Sequence, residues 1–180
     1  MNWINRMLNK KVILILLFIM FLMNHTFGED NNLYSIGMGL AGIGNETELA
    51  ESRIEYRFNK KYLIFSPIVG MMVMGDGSKY FYGGVNLSRY FGNSFIVTPN
   101  FAIGGFHNGG EKNLGGIIEF RSGLEIGYWI YKKLMVGVAF HHISNASIYK
   151  RNPGTETLSL ILTIGSRPQK KVSEKCYEGS

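Results

Sequence analysis

Cysteine is almost absent from this 180-residue sequence, and the single copy, Cys176, lies in a polar stretch near the C-terminal end. One cysteine excludes an intramolecular disulfide and a thiolate metal cluster. Charge of one sign is also scarce, since the residues after position 28 contain 16 Lys and Arg against 13 Asp and Glu, a formal charge of +3. So small an excess does not indicate nucleic-acid binding, and we expect no nucleic-acid partner.

Only one long apolar run occurs, the 12 residues from Val12 to Met23, and it follows three basic residues. A helix needs about 20 apolar residues to span a bilayer. Because a plausible small-residue cleavage site ends at Gly28, we predict that residues 1–28 are a signal peptide, with a permanent membrane anchor as the alternative. The exact cleavage position stays open.

The remaining residues suit a single domain, because they are enough for one core and contain no second apolar run of helix length. Apolar stripes at helical spacing are rare, whereas short alternating stretches lie between clusters of Asn, Gly, Asp and Lys. We predict eight strands, at about residues 33–42, 48–59, 62–74, 79–91, 94–106, 114–129, 134–145 and 156–165. The predicted domain covers residues 29–166, and a polar tail, 167–180, follows it.

The alternation gives each strand one apolar face and one small or charged face. In the first predicted strand Tyr34 and Met38 oppose Ser35 and glycines, and in the second Ile54 opposes acidic and basic residues. Eight strands leave a narrow lumen that suits small and paired-charge residues, while an apolar exterior suits a bilayer. We therefore predict an all-β, eight-stranded antiparallel transmembrane β-barrel after an N-terminal signal peptide. A secreted β-sandwich or a lipocalin-like barrel is the alternative.

Polar residues crowd into the last predicted hairpin, residues 134–165. Strand periodicity places His142 and Ser144 on the apolar, outward face, and Glu156 on the same face of the returning strand. His141 has the opposite parity, so we expect it to be structural and to point into the lumen. Charges on the lipid face of a barrel cost up to ~4 kcal/mol at mid-membrane and much less near the interface, so this cluster is predicted at the rim.

These residue types indicate a possible serine-esterase triad. A hydroxyl can act as nucleophile, an imidazole can take its proton, and a carboxylate can orient the imidazole and stabilise its charged form. Ser144, His142 and Glu156 are therefore the candidate catalytic residues. The alternative is that they are rim residues in contact with headgroups and water.

The stretch His142-Ile143-Ser144-Asn145-Ala146, followed by Asn152-Pro153-Gly154-Thr155-Glu156, resembles the lipid A 3-O-deacylases of the PagL type. In that family a His-x-Ser-Asn stretch precedes an Asn and a Glu, and the Glu lies 12 positions after the Ser, as 156 follows 144. The resemblance implies that Ser144 is the nucleophile, His142 the base and Glu156 the third member. It also implies an oxyanion or support role for Asn145 and Asn152.

The resemblance further implies an enzyme of the bacterial outer membrane, surrounded by outer-membrane lipid, that removes the 3-O-linked 3-hydroxyacyl chain of lipid A in lipopolysaccharide. We expect the acyl chain to contact Val138, Phe140 and Leu158, and the phosphates to lie near Lys150 and Arg151. No metal or other cofactor is expected.

Two other functions remain open from the sequence. The chain is alternatively a non-enzymatic barrel for adhesion or membrane integrity, or a phospholipid hydrolase or acyltransferase with the same triad. Acyl-chain preference, oligomeric state, latency and the role of the polar tail with Cys176 also stay open.

Overall fold

The computed structural model describes residues 32–44 and 47–166 of the chain. The predicted signal peptide, residues 1–28, and the predicted tail, residues 167–180 with Cys176, lie outside the described residues. Helices long and apolar enough to cross a membrane are not found in the part of the chain that is described.

Every regular element among the described residues is a β-strand. The nine segments are β1 (Leu33–Ala41), β2 (Leu49–Arg57), β3 (Ser66–Met74), β4 (Lys79–Asn86), β5 (Arg89–Phe91), β6 (Phe95–His107), β7 (Ile118–Tyr131), β8 (Leu134–Ser144) and β9 (Thr155–Gly165). Neighbouring strands pair antiparallel, and the pairing of β1 with β9 and of β4 with β6 closes the sheet.

The segments β4 and β5 together occupy one position in the barrel wall. β4 pairs with residues 100–107 of β6, and β5 pairs with residues 95–97 of the same strand. Between them the backbone N–H of Leu87 donates to the carbonyl of Pro99 at 2.9 Å. The structure is therefore a closed eight-stranded antiparallel barrel, and the predicted fold is confirmed.

Two predicted strands begin later than expected, because their first predicted residues belong to a turn in one case and to a loop in the other. The third begins at Ser66 rather than 62, since Tyr62 and Phe65 form a tight turn with backbone hydrogen bonds of 2.8 and 3.1 Å. The sixth begins at Ile118 rather than 114, since residues 108–117 form a loop in which Leu114 is buried.

The two faces of the wall are those that the alternation predicts. Exposed apolar side chains cover the exterior; among them are Tyr34, Met38, Leu40, Ile54, Phe58, Leu124, Ile126 and Tyr128. Charged side chains of the same strands are buried in the lumen; among them are Glu51, Arg53, Glu55, Arg57, Glu119, Arg121 and Glu125. Such an exterior is suited to lipid, and closure satisfies the backbone groups that lipid cannot.

Glu55 lies at the centre of the charged network in the lumen. One of its oxygens accepts a hydrogen bond from Arg57 Nε at 2.8 Å. The other accepts from Arg121 Nη2 at 2.8 Å and from the hydroxyl of Tyr82 at 2.9 Å. Arg57 also pairs with Glu125 through both of its terminal nitrogens. Each buried charge in this group therefore has an opposite charge in contact, which burial requires.

His141 points into the same lumen, as its parity predicts. It is almost completely buried, and Arg53 Nη1 donates to its Nδ1 at 2.8 Å. This imidazole therefore faces away from the outer wall, where the neighbouring His142 lies.

We predict that Glu55→Gln destabilises the folded barrel by about 3 kcal/mol, because it leaves two buried guanidinium groups with less compensating charge. The measurement is the free energy of unfolding in urea from vesicles, with Glu48→Gln as control. Glu48 is exposed, so its loss is expected to change stability by less than about 0.5 kcal/mol. Equal effects of the two substitutions would contradict the role assigned to the lumen network.

Candidate active site

The candidate site lies at one end of the barrel, where β8 ends and β9 begins. His142 and Glu156 are direct cross-strand partners in this hairpin. Their side chains meet on the outer wall, where His142 Nδ1 donates to Glu156 Oε1 at 3.0 Å. The side chains are 47 and 36% exposed, so the pair lies outside the lumen.

Glu156 is also held from its other side by the chain that leaves β1. The backbone N–H groups of Gly42 and Ile43 donate to the carbonyl of Glu156 at 2.8 and 3.4 Å. The strand that carries the carboxylate is thus fixed on both edges. The carboxylate in turn orients the imidazole and leaves its Nε2 available for another group.

Ser144 lies two residues after His142 on the same face and is half-buried. Among the described residues, no hydrogen bond joins its hydroxyl to the imidazole of His142. Catalytic hydrogen bonds are often long without substrate and tighten when substrate binds. The structure therefore brings the three candidate residues onto one surface, with one of the two triad contacts formed.

Asn145 turns inward and supports the loop that follows Ser144. Its side chain is buried, and its amide nitrogen donates to the carbonyls of Leu114 at 2.9 Å and Arg151 at 2.8 Å. Its side-chain oxygen accepts from the backbone N–H of Ser147 at 3.0 Å. Both amide hydrogens are therefore used, which fits a support role and leaves neither for an oxyanion.

Asn152 is exposed and is oriented by its neighbour. Its side-chain oxygen accepts from the backbone N–H of Asn145 at 2.9 Å. Its amide nitrogen makes a long contact of 3.4 Å with the hydroxyl of Ser147, so one amide hydrogen has no protein partner among the described residues. Of the two asparagines, Asn152 is thus the one with a donor available at the surface.

The backbone between these asparagines adopts an uncommon conformation. Ala146 and Ser147 have φ values of 51° and 63°, in the left-handed region that L side chains rarely occupy. Such strain persists where the surrounding contacts hold it, and it concentrates at functional sites. Here the buried side chain of Asn145 provides the contact, because it binds the N–H of Ser147.

Gly154 brings the returning loop against the back of the site. A Cβ at this position would lie 3.2 Å from His142 Cε1 and 3.6 Å from the Ser144 Cβ. Its φ of 64° also favours glycine. The absent side chain therefore allows the loop to pass directly behind the imidazole and the serine.

The other residues expected at the site surround it on the wall or in the loop. Phe140 and Leu158 are exposed cross-strand partners, and Val138 is exposed on the same outer face. Lys150 and Arg151 are exposed in the loop before β9. In the described residues, no cluster of three or more His, Cys, Asp or Glu is placed to hold a metal ion.

Ser122 is a neighbour of the site that sequence reasoning missed. It is exposed on β7 and is the direct cross-strand partner of His142, so a second hydroxyl lies beside the imidazole. Side chains in such pairs have Cβ atoms about 4.5–5.5 Å apart. Only the register between β7 and β8 reveals this neighbour, because Ser122 is 20 positions from His142 and carries no motif.

The loop 108–117 contacts the site through Leu114, and Asp76 binds this loop to the barrel. The carboxylate of Asp76 accepts the backbone N–H groups of Ser78, Glu111 and Lys112 at 2.8–3.1 Å. The loop 108–117 that begins there continues to Leu114, whose carbonyl accepts from Asn145. Asp76 is thereby connected to the candidate site through two contacts, its own with the loop 108–117 and that of Leu114 with Asn145.

Fold and site together define a class, the small outer-membrane-type barrels, in this case with a His–Glu pair on the outer wall. Residues 71–164, just over half of the chain, match the model of the PagL family, described as lipid A 3-O-deacylase. The chain belongs to the lipid A 3-O-deacylase (PagL) family. A search of curated proteins gives no match.

Three solved structures share the fold. The outer membrane enzyme PagL is 20% identical with a TM-score of 0.58, and the match covers 73% of this chain and 98% of that one. A designed transmembrane β-barrel is 8% identical with a TM-score of 0.52, over 76 and 97% of the two chains. Neisserial surface protein A is 9% identical with a TM-score of 0.51, over 74 and 95%. At these identities the likeness concerns the fold alone.

Membership of the family supports lipid A deacylase activity and an outer-membrane location for this chain. The apolar exterior is consistent with that location.

We predict that Asp76→Asn loosens the loop 108–117. Burial opposes ionisation, but the backbone N–H groups of Lys112, Ser78 and Glu111 hold the pKa of Asp76 below its ordinary value of 3.8. Because the native pKa is the lower one, the contribution of Asp76 to stability is complete above its ordinary pKa of 3.8 and is lost as the pH falls from there through the native pKa. At neutral pH the substitution is expected to speed amide exchange of Glu111 and Lys112 about fivefold, roughly the effect of one hydrogen bond.

The measurement is amide hydrogen exchange of both proteins as a function of pH. The ratio of the two rates is expected to fall toward one as the pH drops below 3.8. A ratio that stays constant over this range would show that the carboxylate charge does not hold the loop.

Proposed function

We propose that this chain is an esterase that removes the 3-O-linked 3-hydroxyacyl chain of lipid A, with Ser144 as nucleophile, His142 as base and Glu156 as the orienting carboxylate. The observation that carries the proposal is the His142–Glu156 pair, formed on the outer wall beside Ser144. A carboxylate on the lipid-facing side is costly, and a membrane substrate gives it a purpose.

In acyl transfer to the enzyme, the hydrogen bond between His142 and Glu156 determines which imidazole nitrogen acts as the base. With Nδ1–H bound to Glu156, Nε2 of His142 accepts the proton of the Ser144 hydroxyl while Oγ attacks the ester carbonyl. The tetrahedral intermediate collapses with cleavage of the bond to the sugar oxygen. His142 returns the proton to that oxygen, and the deacylated sugar leaves an acylated Ser144.

Hydrolysis then regenerates the free enzyme by the same groups. His142 takes a proton from water as the water oxygen attacks the acyl carbonyl, and the departing Oγ of Ser144 recovers that proton. The products are a free 3-hydroxy fatty acid and the enzyme. Glu156 contributes by stabilising the imidazolium of His142, which forms in each step.

The developing oxyanion needs hydrogen-bond donors near Ser144. Asn152 is the better candidate of the two asparagines, since its amide retains one hydrogen for a ligand. Asn145 acts through the loop, because its amide hydrogens bind Leu114 and Arg151. One oxyanion donor contributes roughly 3–4 kcal/mol in other enzymes.

The surrounding residues suit a lipid with a charged headgroup. Val138, Phe140 and Leu158 form an apolar outer surface below the triad, where the acyl chain would lie. Lys150 and Arg151, above it in the loop, would attract the phosphates of lipid A. We assign the site to the outer leaflet, because the four connections at its end, 42–48, 75–78, 108–117 and 145–154, contain 31 residues, against 13 in the connections 58–65, 92–94 and 132–133 at the other end.

The first expected outcome concerns the nucleophile. Ser144→Ala is expected to abolish loss of the 3-hydroxyacyl group from lipid A in cells, measured by mass spectrometry with matched amounts of folded barrel. Ser122→Ala is the matched control, because it removes a hydroxyl beside the same imidazole on the same face. It is expected to retain activity.

Other outcomes distinguish the alternatives. Activity lost in Ser122→Ala but kept in Ser144→Ala would reassign the nucleophile. Unchanged lipid A with the wild type, in a host that offers the 3-O-acyl ester, would favour a non-enzymatic barrel. Release of fatty acid from phospholipid instead would favour a phospholipid hydrolase with the same triad.

A second expected outcome concerns the close approach of Gly154. Gly154→Ala is expected to lower kcat about 10- to 100-fold, because the new Cβ would displace the imidazole of His142 by a few tenths of an ångström. Gly92→Ala is the matched control: its φ of 60° is close to the 64° of Gly154, but no atom lies within 4 Å of its Cβ position. Equal losses in both would mean that backbone strain, and not contact with the site, explains the effect.

A further inference from the structure

The connection between β2 and β3, residues 58–65, exposes an apolar tip at the end of the barrel opposite the site. The tip consists of Tyr62, Leu63, Ile64 and Phe65, all of which are exposed. Leu63 is 95% exposed and has almost no contact with the rest of the protein. The exposure of four consecutive large apolar side chains to water is unfavourable, so the tip is expected to bind a partner that covers it.

The tip has a defined shape. Tyr62 and Phe65 exchange backbone hydrogen bonds of 2.8 and 3.1 Å, which close a tight turn around the two residues between them. At its base the backbone N–H of Phe58 donates to the carbonyl of Pro67 at 3.0 Å. The apolar side chains are therefore presented by a fixed turn.

Leu63, the first of the two residues between Tyr62 and Phe65, has an unfavourable backbone conformation. Its φ is 59°, in the left-handed region where a bulky side chain is uncommon and glycine or asparagine is favoured. Because Leu63 is almost fully exposed, no packing among the described residues compensates for this strain. A partner outside the chain would account for a leucine at this position.

The tip continues the apolar exterior of the barrel through a group of aromatic residues. Tyr34, Tyr56 and Phe58 contact each other edge to face on the outer wall, with ring centroids 5.0 and 4.7 Å apart. Other exposed aromatic side chains at this end are Phe91, Phe95, Tyr128 and Tyr131. Aromatic girdles of this kind mark the interface between bilayer and water in barrels. The tip therefore begins at the level of headgroups.

The charge at this end is positive. The connections 58–65, 87–88, 92–94 and 132–133 contain four lysines and no Asp or Glu. Lys60 and Lys61 directly precede the tip and are exposed, and Lys60 Nζ lies 5.3 Å from the centroid of the Tyr62 ring. Lysines beside an exposed apolar segment complement an anionic lipid surface.

We propose that the tip, with Lys60 and Lys61, is an interfacial anchor that inserts into an anionic phospholipid leaflet. This leaflet lies at the end of the barrel where β1 begins and β9 ends. The apolar side chains would enter the boundary between headgroups and acyl chains, and the two ammonium groups would bind lipid phosphates. The anchor needs the barrel to be in a bilayer but is independent of the triad, so an inactive Ser144→Ala barrel would retain it.

The test places a label at the tip of the full exported chain. Cys176 is replaced by serine, Leu63→Cys is labelled with an environment-sensitive fluorophore, and the barrel is folded into vesicles of phosphatidylcholine with or without phosphatidylglycerol. We expect quenching by nitroxide lipids labelled near the headgroup, and about fivefold less quenching by aqueous iodide than at Asn93→Cys. Asn93 is the control because it is exposed in the turn 92–94 at the same end.

Two further variants test the charge and the strain. Lys60→Gln combined with Lys61→Gln is expected to reduce the lipid quenching in anionic vesicles about twofold and to leave it unchanged in phosphatidylcholine alone. Leu63→Asn relieves the left-handed strain, so it should raise the urea midpoint if the tip lies in water. We expect the opposite, a lower midpoint in anionic vesicles.

A label at position 63 that iodide reaches as easily as position 93, in both kinds of vesicle, would overturn the proposal, as would a higher urea midpoint for Leu63→Asn. The tip would then be a surface for a protein partner. Neither result would bear on the esterase, because lipid A deacylation is measured separately, in cells that express the same variants.

Discussion

The pairing of β1 with β9 is the contact on which both the barrel and its candidate site depend. It closes the sheet, so no strand edge is left for lipid to solvate. The same pairing continues past the end of β1, where the backbone of Gly42 binds the carbonyl of Glu156. Closure therefore also fixes the strand that carries the carboxylate partner of His142.

The barrel wall separates buried charged pairs in the lumen from a half-exposed polar pair on the exterior. In the lumen, charged residues are buried and stabilised by direct pairs such as Arg57 with Glu55 and Glu125. On the outside, the imidazole–carboxylate pair of His142 and Glu156 lies at the rim, half exposed. Two adjacent residues illustrate the division, because His141 binds Arg53 inside while His142 binds Glu156 outside.

Much of this arrangement could be predicted from the sequence, because strand parity is a local property. Alternation places Ser144, His142 and Glu156 on one face, and the Asn152-Pro153-Gly154 turn pairs the two strands that carry them. The inward direction of Asn145 follows the same parity, because it is buried like His141 and Ile143. Its hydrogen-bond partners, the carbonyls of Leu114 and Arg151, lie in two loops and could not be predicted.

Contacts that depend on register or on distant loops could not be read from the sequence. Ser122 becomes a neighbour of His142 only through the pairing of β7 with β8. Asp76 reaches the site only through the loop 108–117, whose Leu114 binds Asn145. Ser122 is 20 positions from His142 and Asp76 is 69 positions from Asn145, and no local pattern relates them.

The outward position of the imidazole–carboxylate pair has a consequence for how a substrate reaches it. A molecule in bulk water meets the rim from above, whereas a lipid approaches sideways within the plane of its leaflet. The relevant concentration is then a number of molecules per area of membrane, and encounter rates depend on lateral diffusion. An amphiphilic product also leaves by the same plane, so its escape from the wall competes with the arrival of the next lipid.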